Sequence, residues 1–390
     1  MARIRAGVGL SQEADTSRAA TEAAAEAMGK AGLERAGWAL CFFSGHHIAA
    51  GEALRQAVVG KTGVQALAGC SAMGIIGGNR EIEDGPAVAV LVAEGPGLAA
   101  RSALAPLGSE ELASLCGPPA GEPPSRIVVA LPDTFQVNTD QLRERFAAQL
   151  PHIHLAGAGA TDHAGQGVSL QLGLEEVRPS ALSLLGLYGD YEFSVGITQS
   201  CVPVGEPHFI TASHDNVLVE MDGRPALHSL IEQGQALHIE SFGQVAREIL
   251  FGFPLDPEAP RFSGETCLVR HLIGLDEETQ GLVIAHPLEN QGAVGFMHRN
   301  PARAEEDMGR MVAEAAAKLS GPPELGIYFD CAARGRNLYG RAEVDAGKIR
   351  DQLGDFPLIG MFGGFELATA MGTPQVFTYT GVLVLLRGRG

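Results

Sequence analysis

The residues best suited to chemistry stand where apolar stretches that read as β-strands come to an end. The clearest group is the segment 330–336 (DCAARGR), which follows the apolar run Leu325–Phe329. Ligands tend to bind where the loops after such strands meet, so the sequence predicts a ligand site here. Arg334 has the planar cation that grips a carboxylate or phosphate through two hydrogen bonds. The same side chain would equally tie two loops together by pairing with Glu366 or Asp330.

Polar or reactive side chains also stand at other strand ends, where a thiol and imidazoles suggest a second chemistry. They are Ser44, His46, His47, Cys70, Ser71, Asp133, Asp162, His163, Cys331 and Glu366. Cys70 is one candidate nucleophile, with His46 or His47 as its base, and Cys331 is the other. A small buried thiol explains Cys70 as well, and we favour that reading. Ser44 reads as a turn or cap residue.

The neighbouring histidines His46 and His47 raise the question of a metal or haem. Adjacent histidines on a loop point in different directions, so one ion rarely takes both. No C-x-x-C-H attachment motif and no zinc-like cysteine spacing are present. The glycines of 69–78 do not form a dinucleotide fingerprint, and neither a Walker A motif nor a serine-hydrolase elbow occurs. We therefore expect no metal and no cofactor, with haem ligation by His46 or His47 as the alternative.

Three segments of the chain share one pattern of strand, helix, small-residue strand and closing strand. The first strands are Trp38–Phe43, Ile127–Leu131 and Leu325–Phe329; the helices are about 49–59, 139–150 and 344–353; the closing strands are 87–93, 181–187 and 380–386. A glycine recurs in the second strand at 69, 157 and 360, which is 31, 30 and 35 residues after the start of each unit (38, 127 and 325). Near-equal spacing favours a reused supersecondary unit.

The pattern predicts an α/β (mixed α+β) fold in which repeated strand–helix–strand units form two related sheet-containing halves. We place the boundary near residue 195, giving domains 1–195 and 196–390, because 191–230 changes to alternating strands. Asp15 should cap a helix that runs to about Lys30 and ends at Gly32. Pro301 should open a helix over 302–319. The segment 214–233 reads as strand, turn at Asp222-Gly223, then helix.

The amino-acid composition limits the classes of binding partner and the cellular compartment that we expect. The 390 residues carry 28 Lys and Arg against 46 Asp and Glu, a net charge of −18, which disfavours binding to nucleic acid. No apolar stretch is long enough to span a membrane, and the start has no signal-peptide core. Six scattered cysteines indicate reduced thiols. We expect a cytoplasmic protein without nucleic-acid or membrane partners.

The order of several motifs resembles the FIST proteins over nearly the whole chain, about 5–195 and 196–388. They are FFSGHH (42–47), AGCSAMGIIGGNREIEDGPAVAVLVA (68–93), YFDCAARGRNLYG (328–340), FPLIGMFGGFELA (356–368) and TYTGVLVLL (378–386). Two departures stand out. Phe365-Glu366-Leu367-Ala368-Thr369 replaces the Gly-Glu-Ile-Gly-Pro usual in the family, and Phe377 stands where a histidine is often found.

The resemblance implies a bacterial, stand-alone sensory module for signal transduction, with an amino acid or similar small molecule as ligand. It places Ser44, Cys70, Ser71, Gly74, Cys331, Arg334, Gly335 and Glu366 on family motif positions, and we take these as the ligand-binding set. Arg334 would hold an anionic group and Glu366 a cationic one. Such a module would signal by contact with a protein partner or as a homo-oligomer. The alternatives left open are a haem-dependent nitric oxide sensor and an enzyme with a cysteine nucleophile, although we expect no catalysis.

Overall fold

The computed structural model describes residues 3–109, 111–118, 121–122, 125–162, 165–262, 264–289 and 291–389. His163, one of the strand-end candidates, lies outside them. The helices of the described residues are α1 Thr16–Ala31, α2 Gly51–Thr62, α3 Leu112–Cys116, α4 Thr139–Gln149, α5 Ala226–Ala236, α6 Phe242–Glu248, α7 Pro301–Ala317, α8 Arg336–Tyr339 and α9 Val344–Leu353, with 3-10 turns at Gly45–Ala50 and Gly264–Thr266.

The strands of the described residues outnumber the helices and form four sheets. They are β1 Arg5–Ser11, β2 Trp38–Ser44, β3 Ala66–Ala72, β4 Gly74–Gly77, β5 Arg80–Ile82, β6 Val88–Glu94, β7 Ala99–Pro106, β8 Ser125–Pro132, β9 His154–Ala158, β10 Gln171–Leu172, β11 Val177–Arg178, β12 Ala181–Tyr188, β13 Tyr191–Gln199, β14 Cys201–His214, β15 Val217–Met221, β16 Arg224–Pro225, β17 Ile249–Pro254, β18 Cys267–Arg270, β19 Leu272–Leu275, β20 Leu282–Ile284, β21 Ala293–Arg299, β22 Leu325–Cys331, β23 Leu358–Gly363, β24 Glu366–Ala370, β25 Thr373–Phe377 and β26 Thr380–Gly388.

Three six-stranded sheets repeat one strand order, which confirms the predicted α/β fold and its repeated units. The order begins β1-β6-β2-β3 in the first sheet, β7-β12-β8-β9 in the second and β13-β26-β22-β23 in the third. In each sheet the first two strands of the predicted unit pair in parallel, and the closing strand pairs antiparallel to the first. The first sheet packs on α1 and α2, the second on α3 and α4, and the third on α7 and α9.

The hairpin that follows the second strand of each repeat crosses to another repeat's sheet. Strand β4, which follows β3, pairs with β23 of the third sheet. Strand β10, which follows β9, pairs with β3 of the first sheet, and β24, which follows β23, pairs with β9 of the second. The three repeats therefore depend on one another, because each sheet is completed by a strand from a different part of the chain.

The recurring glycine of each repeat is explained by close approach of two backbones. Gly69, Gly157 and Gly360 occupy corresponding places in β3, β9 and β23. A Cβ built on any of them would lie within 3.0 Å of a carbonyl oxygen of the parallel neighbour strand, which real Cβ atoms essentially never do. No rotamer change relieves this contact, because the obstructing atom belongs to the backbone. The repeat seen in the sequence thus marks a packing requirement.

We expect Gly360→Ala to lower the free energy of unfolding by about 1–3 kcal/mol, because the added methyl group forces two paired strands apart. Urea unfolding followed by the fluorescence of Trp38, the only tryptophan, measures the change. Gly29→Ala is the matched control, since a Cβ on that helical glycine meets nothing within 4 Å. Equal stability of Gly360→Ala and the unsubstituted protein would contradict the packing explanation.

The chain folds into two compact units that differ from the predicted halves. The first unit comprises the described residues up to Ile197, Met308–Val376 and those from Thr380 onward; the second comprises Thr198–Asp307 and Phe377–Tyr379. The prediction of two related halves needs correction, because all three repeats belong to the first unit and β13 runs through residue 195. The placement of the border between the N-terminal and C-terminal family regions at residue 195 stays a prediction.

The second unit is built on the remaining sheet, whose order is β18-β17-β21-β14-β15-β20-β19, with β16 paired to β15. Helices α5 and α6 cover one face through apolar side chains that include Leu230 and Val245. The predicted strand, turn and helix over 214–233 are confirmed as β15, a turn at Asp222-Gly223 and α5. No helix among the described residues of either unit has the length and apolarity needed to cross a membrane.

Local helix signals were predicted correctly in three further places. The side chain of Asp15 accepts a hydrogen bond from the Arg18 N–H at the start of α1, and Gly32 ends that helix in the left-handed conformation. Helix α7 begins at Pro301, and α9 covers the predicted 344–353. These signals are local, since caps and helix-opening prolines act within one turn of the helix end.

Candidate functional site

A cleft of about 200 Å³ opens in the first unit at the ends of β22 and β23. It is lined by Met73, Gly74, Glu83, Asp84, Ala332, Arg336, Asn337 and Phe362. The first four come from the hairpin that crosses over from the first repeat, and the others from the third repeat. The crossing of the hairpin therefore creates the cleft, which combines an apolar surface of Met73 and Phe362 with charged groups.

Glu83 is fixed on one wall by backbone hydrogen bonds. The Arg336 N–H donates to both carboxylate oxygens of Glu83, at 3.1 and 2.9 Å. This approach requires Gly335, which has φ +52°, and whose Cβ, if present, would lie 2.6 Å from Oε2 of Glu83. Burial raises the pKa of Glu83, while the hydrogen bond from Arg336 opposes the shift. The carboxylate is thus held in place beside the opening of the cleft.

Arg336 and Asp84 form the charged rim of the cleft. A guanidinium nitrogen of Arg336 lies 3.3 Å from Asp84 Oδ2, and both side chains are well exposed, at 58% and 76%. An exposed pair of this kind contributes little to stability, so its partners can be exchanged for those of a ligand at small cost. The rim offers a cation and an anion side by side.

Behind the cleft, Arg334 lies in a fully buried network. Its side chain is 0% exposed; Nε stands 2.9 Å from Asp330 Oδ1, and Nη2 donates to Asp345 Oδ2 at 2.7 Å. Nη2 also donates to the Tyr339 hydroxyl at 2.8 Å. The prediction that Arg334 clamps a ligand anion needs correction, because the guanidinium is committed to two carboxylates away from solvent. The alternative that it ties loops together describes its position, with Asp330 as one of the predicted partners.

The two aspartates of this network differ in their hydrogen-bond partners. Asp345 accepts hydrogen bonds from Arg334 and from the hydroxyls of Tyr328 and Tyr339, at 3.0 and 2.9 Å. Oδ2 of Asp330 is buried and has no hydrogen-bond partner. Burial raises the pKa of Asp330 well above its usual range, and the nearby Asp345 carboxylate adds to the shift. Asp345 thus has three side-chain hydrogen-bond donors, whereas one oxygen of Asp330 has none.

Glu81 connects the crossing hairpin to the same network. Its carboxylate accepts hydrogen bonds from the N–H groups of Glu343 and Ala346 at the start of α9, at 2.6 and 2.7 Å. A helix N-terminus favours negative charge there. Burial nevertheless raises the pKa of Glu81 to about 7, and repulsion from Asp345 adds to it.

Glu366, predicted to hold a cationic group, is also fully buried. Its Oε2 accepts hydrogen bonds from the Thr380 N–H and hydroxyl, at 3.3 and 2.5 Å, and its Oε1 is buried. Burial raises the pKa of Glu366 to about 8, while Thr380, Cys331 and Arg334 oppose the shift. Its burial removes Glu366 from direct contact with a ligand in the cleft.

The predicted ligand-binding residues on the first repeat do not line this cleft, except for Gly74. Ser44 accepts the Ala87 N–H, and Ser71 donates its hydroxyl to the Thr161 carbonyl. Cys70 is buried with its Sγ 3.5 Å from Met361 Sδ. Burial raises the pKa of Cys70 well above its usual range, which argues against a thiolate nucleophile and for the buried-thiol reading.

The histidines proposed as alternative haem ligands have different surroundings. His47 is 0% exposed, with Nδ1 2.9 Å from the Thr16 hydroxyl, whereas His46 is exposed and lies 3.3 Å from the Ser44 hydroxyl. Burial lowers the pKa of His47 and keeps it neutral. Enclosure of His47 by the protein does not fit axial ligation of a haem. Within the described ranges, no group of three or more His, Cys, Asp or Glu is arranged to hold a metal ion.

The structure therefore brings together a partly different set from the one predicted. Gly74 lines the cleft, Gly335 shapes its wall, and Cys331 directly precedes Ala332 in it. The residues that sequence reasoning missed are Glu83, Asp84 and Arg336. Arg336 is the second arginine of DCAARGR, and the two carboxylates end the segment REIED, so both motifs contained a signal. Spacing alone does not show which of the two arginine side chains points inward, so the sequence did not place Arg336 rather than Arg334 in the cleft.

Comparison with known proteins identifies relatives over the whole chain. The FIST N domain matches residues 37–224, and the FIST C domain matches residues 230–369. An uncharacterized protein of Mycobacterium tuberculosis H37Rv is 32% identical over 382 residues, which cover 98% of this chain and 99% of the relative. An uncharacterized protein of Mycobacterium bovis is 28% identical over 383 residues, 98% of each chain. A cyanuric acid hydrolase from A. caulinodans aligns with a TM-score of 0.28 at 10% identity, over 48% of this chain and 71% of its own, which is too low for an argument.

Proposed function

Because this chain belongs to the FIST family, we propose that it is a cytoplasmic sensory protein that binds an amino acid or a similar small molecule in the cleft beside β22 and β23. FIST domains are generally sensory domains thought to bind small ligands in signal transduction. The six free and buried cysteines support a reducing compartment. The observation that carries the proposal is the pairing of Arg336 with Asp84 at the mouth of a small cleft with an apolar surface.

The chemistry of the rim fits a zwitterion. The guanidinium of Arg336 can accept a ligand carboxylate in place of Asp84, since a carboxylate matches its donor geometry. The released Asp84, together with Glu83, would face the ligand ammonium. Met73 and Phe362 then supply contact for a side chain. In this proposal Arg336 takes the role that the sequence assigned to Arg334, and the acidic pair takes that of Glu366.

A thermal-shift screen of the twenty amino acids and their small-acid analogues tests the proposal. A ligand present at about 100 times its Kd stabilises the folded chain by about 2.7 kcal/mol. We expect at least one zwitterion to raise the unfolding temperature and Arg336→Ala to abolish the rise. The matched control is Arg350→Ala, which removes another exposed arginine that pairs with a neighbouring aspartate.

Two results would contradict the cleft as the site. One is a screen in which no small molecule raises the unfolding temperature. The other is a ligand whose effect is the same in Arg336→Ala as in Arg350→Ala. Enclosure of Cys70 and His47 argues against these two residues as a nucleophile and a haem ligand, and an absorption spectrum of the purified protein would test for haem directly.

A further inference from the structure

Strand β7 leaves one backbone edge open in the first unit. Within the part of the chain that the structure describes, it is the last strand of its sheet and pairs along its whole length, Ala99–Pro106, with β12 alone. Every second N–H and C=O group of such a strand points away from its partner. The register between β7 and β12 has no bulge that would turn this edge aside. An edge of this kind can accept a further strand.

A groove of about 560 Å³ runs along this edge. Five consecutive residues of β7, Ala100–Leu104, form one wall, and the turn Gly173–Glu176 between β10 and β11 forms the other, with Gln65 and Tyr188 completing the lining. Consecutive residues line a groove only where it follows the edge of a strand, because alternate side chains point to opposite faces. Ala100, Ser102 and Ala103 are small, so another backbone can come close.

The corresponding leading strand of the first repeat, β1, is less open. It borders a groove of about 440 Å³, but most of its residues are buried, whereas β7 has mainly half-buried or exposed residues. The repeats thus share this arrangement, and the β7 edge is the more accessible of the two.

The charge of the groove indicates what kind of segment it suits. Glu175 and Glu176 are exposed on the turn that faces β7. The nearby guanidinium groups of Arg101 and Arg55 donate to backbone carbonyls, those of Gly117 and Leu174, at 3.3 and 2.6 Å. Their donors are therefore partly engaged, and the whole chain is acidic at −18. A basic side chain facing Glu175 would complement this wall.

We propose that the β7 groove is a docking site for an extended segment of a partner protein that adds a strand beside Ala100–Leu104 and places a Lys or Arg against Glu175. The backbone of the segment supplies the hydrogen bonds, as in β-strand addition, and the basic residue supplies selectivity. The site is separate from the ligand cleft and does not depend on the ligand proposed there.

Selection from a phage-displayed library of random heptapeptides against the full chain tests the proposal. We expect enriched peptides to contain a basic residue and to slow hydrogen–deuterium exchange at Ala100–Leu104. Strand addition also predicts an alternation. Methylation of one alternate set of peptide amides should abolish binding, and methylation of the other set should leave it intact, because only one set faces the edge of β7.

Variants of the chain locate the contact. Glu175→Lys should weaken binding of an enriched peptide by about tenfold, equivalent to 1.4 kcal/mol. Glu278→Lys makes the same charge change on an exposed residue of the second unit and should leave binding unchanged. Arg336→Ala should also leave it unchanged, which separates this site from the ligand cleft.

Three outcomes would overturn the proposal. Selection without enrichment is the first. The second is enrichment of peptides that protect residues outside the groove or bind equally when either set of amides is methylated. The third is a dimer in solution whose formation protects Ala100–Leu104, since the occupant would then be a second copy of the chain.

Discussion

Replacing Arg334 by methionine is expected to lower the free energy of unfolding by about 3–5 kcal/mol, because removal of one partner leaves buried charge uncompensated. Arg334 is the cation between Asp330 and Asp345, and all three side chains are fully buried. Water cannot reach Asp345 to replace the lost hydrogen bonds. Urea unfolding followed by the fluorescence of Trp38 measures the loss, since Trp38 is buried in the first unit with this network.

Arg336→Met is the matched control, because it removes the same kind of side chain two residues away. Arg336 is 58% exposed and pairs with the exposed Asp84 and the partly exposed Glu83, so its replacement should cost less than about 1 kcal/mol. Arg334→Lys should not restore full stability, since an ammonium group cannot reproduce the planar fork that meets Asp330, Asp345 and Tyr339.

A double variant separates the effect of the lost charge on the free energy of unfolding from the effect of the lost packing. Asp345→Asn removes the carboxylate that Arg334 neutralises, so the two substitutions together should cost less than the sum of their separate effects. Strict additivity, or an Arg334→Met variant as stable as Arg336→Met, would show that the network does not depend on the guanidinium charge. In that case Arg334 would have to be reconsidered as a replaceable residue.

The repeats could be predicted from the sequence because their signals are local. Each parallel pair needs an apolar strand, a helix and a second strand within about 30 residues, and backbone crowding fixes Gly69, Gly157 and Gly360. The capping by Asp15 is equally local. Features of this kind can be recognised in the sequence, because a nearby backbone or a helix end favours particular residue types at one position.

The crossing of hairpins could not be predicted in the same way. Strands β4 and β23 pair across nearly 290 positions of sequence, and nothing in Gly74–Gly77 specifies that partner. Along the sequence, the second unit also separates β13, the leading strand of the third repeat, from the rest of that repeat, which begins at β22. The candidate cleft depends on the crossing, which explains why only part of its lining was foreseen.

The choice between Arg334 and Arg336 shows the same limit at the level of one side chain. Both belong to DCAARGR, and both could bind an anion because each is an arginine. Asp345 decides the matter, because it lies eleven residues beyond Arg334 at the start of α9 and draws that guanidinium inward. The sequence named Asp330, four residues before Arg334, as one of two candidate partners, and it did not name Asp345.

Raising the pH is expected to destabilise the first unit, by up to about 1.4 kcal/mol per pH unit for each buried carboxyl group that keeps a proton which the unfolded chain has released. Burial raises the pKa of Glu81 to about 7 and that of Glu366 to about 8, from an ordinary value of 4.5. The folded chain therefore holds these protons more tightly than the unfolded chain does. The stabilisation is complete below the ordinary pKa and is lost as the pH rises through the two raised values.

Glu366→Gln isolates one of these groups. The glutamine oxygen can still accept the two hydrogen bonds from Thr380, but it carries no proton to lose. We expect the variant to be more stable than the unsubstituted chain at about pH 9, and its stability to fall less steeply between about pH 6 and 9, by up to one proton. Glu34→Gln, at an exposed glutamate, should keep the original pH dependence. An unchanged slope in Glu366→Gln would mean that its carboxyl group is ionised in the folded chain, and that Arg334 or Thr380 stabilises the anion enough to offset burial.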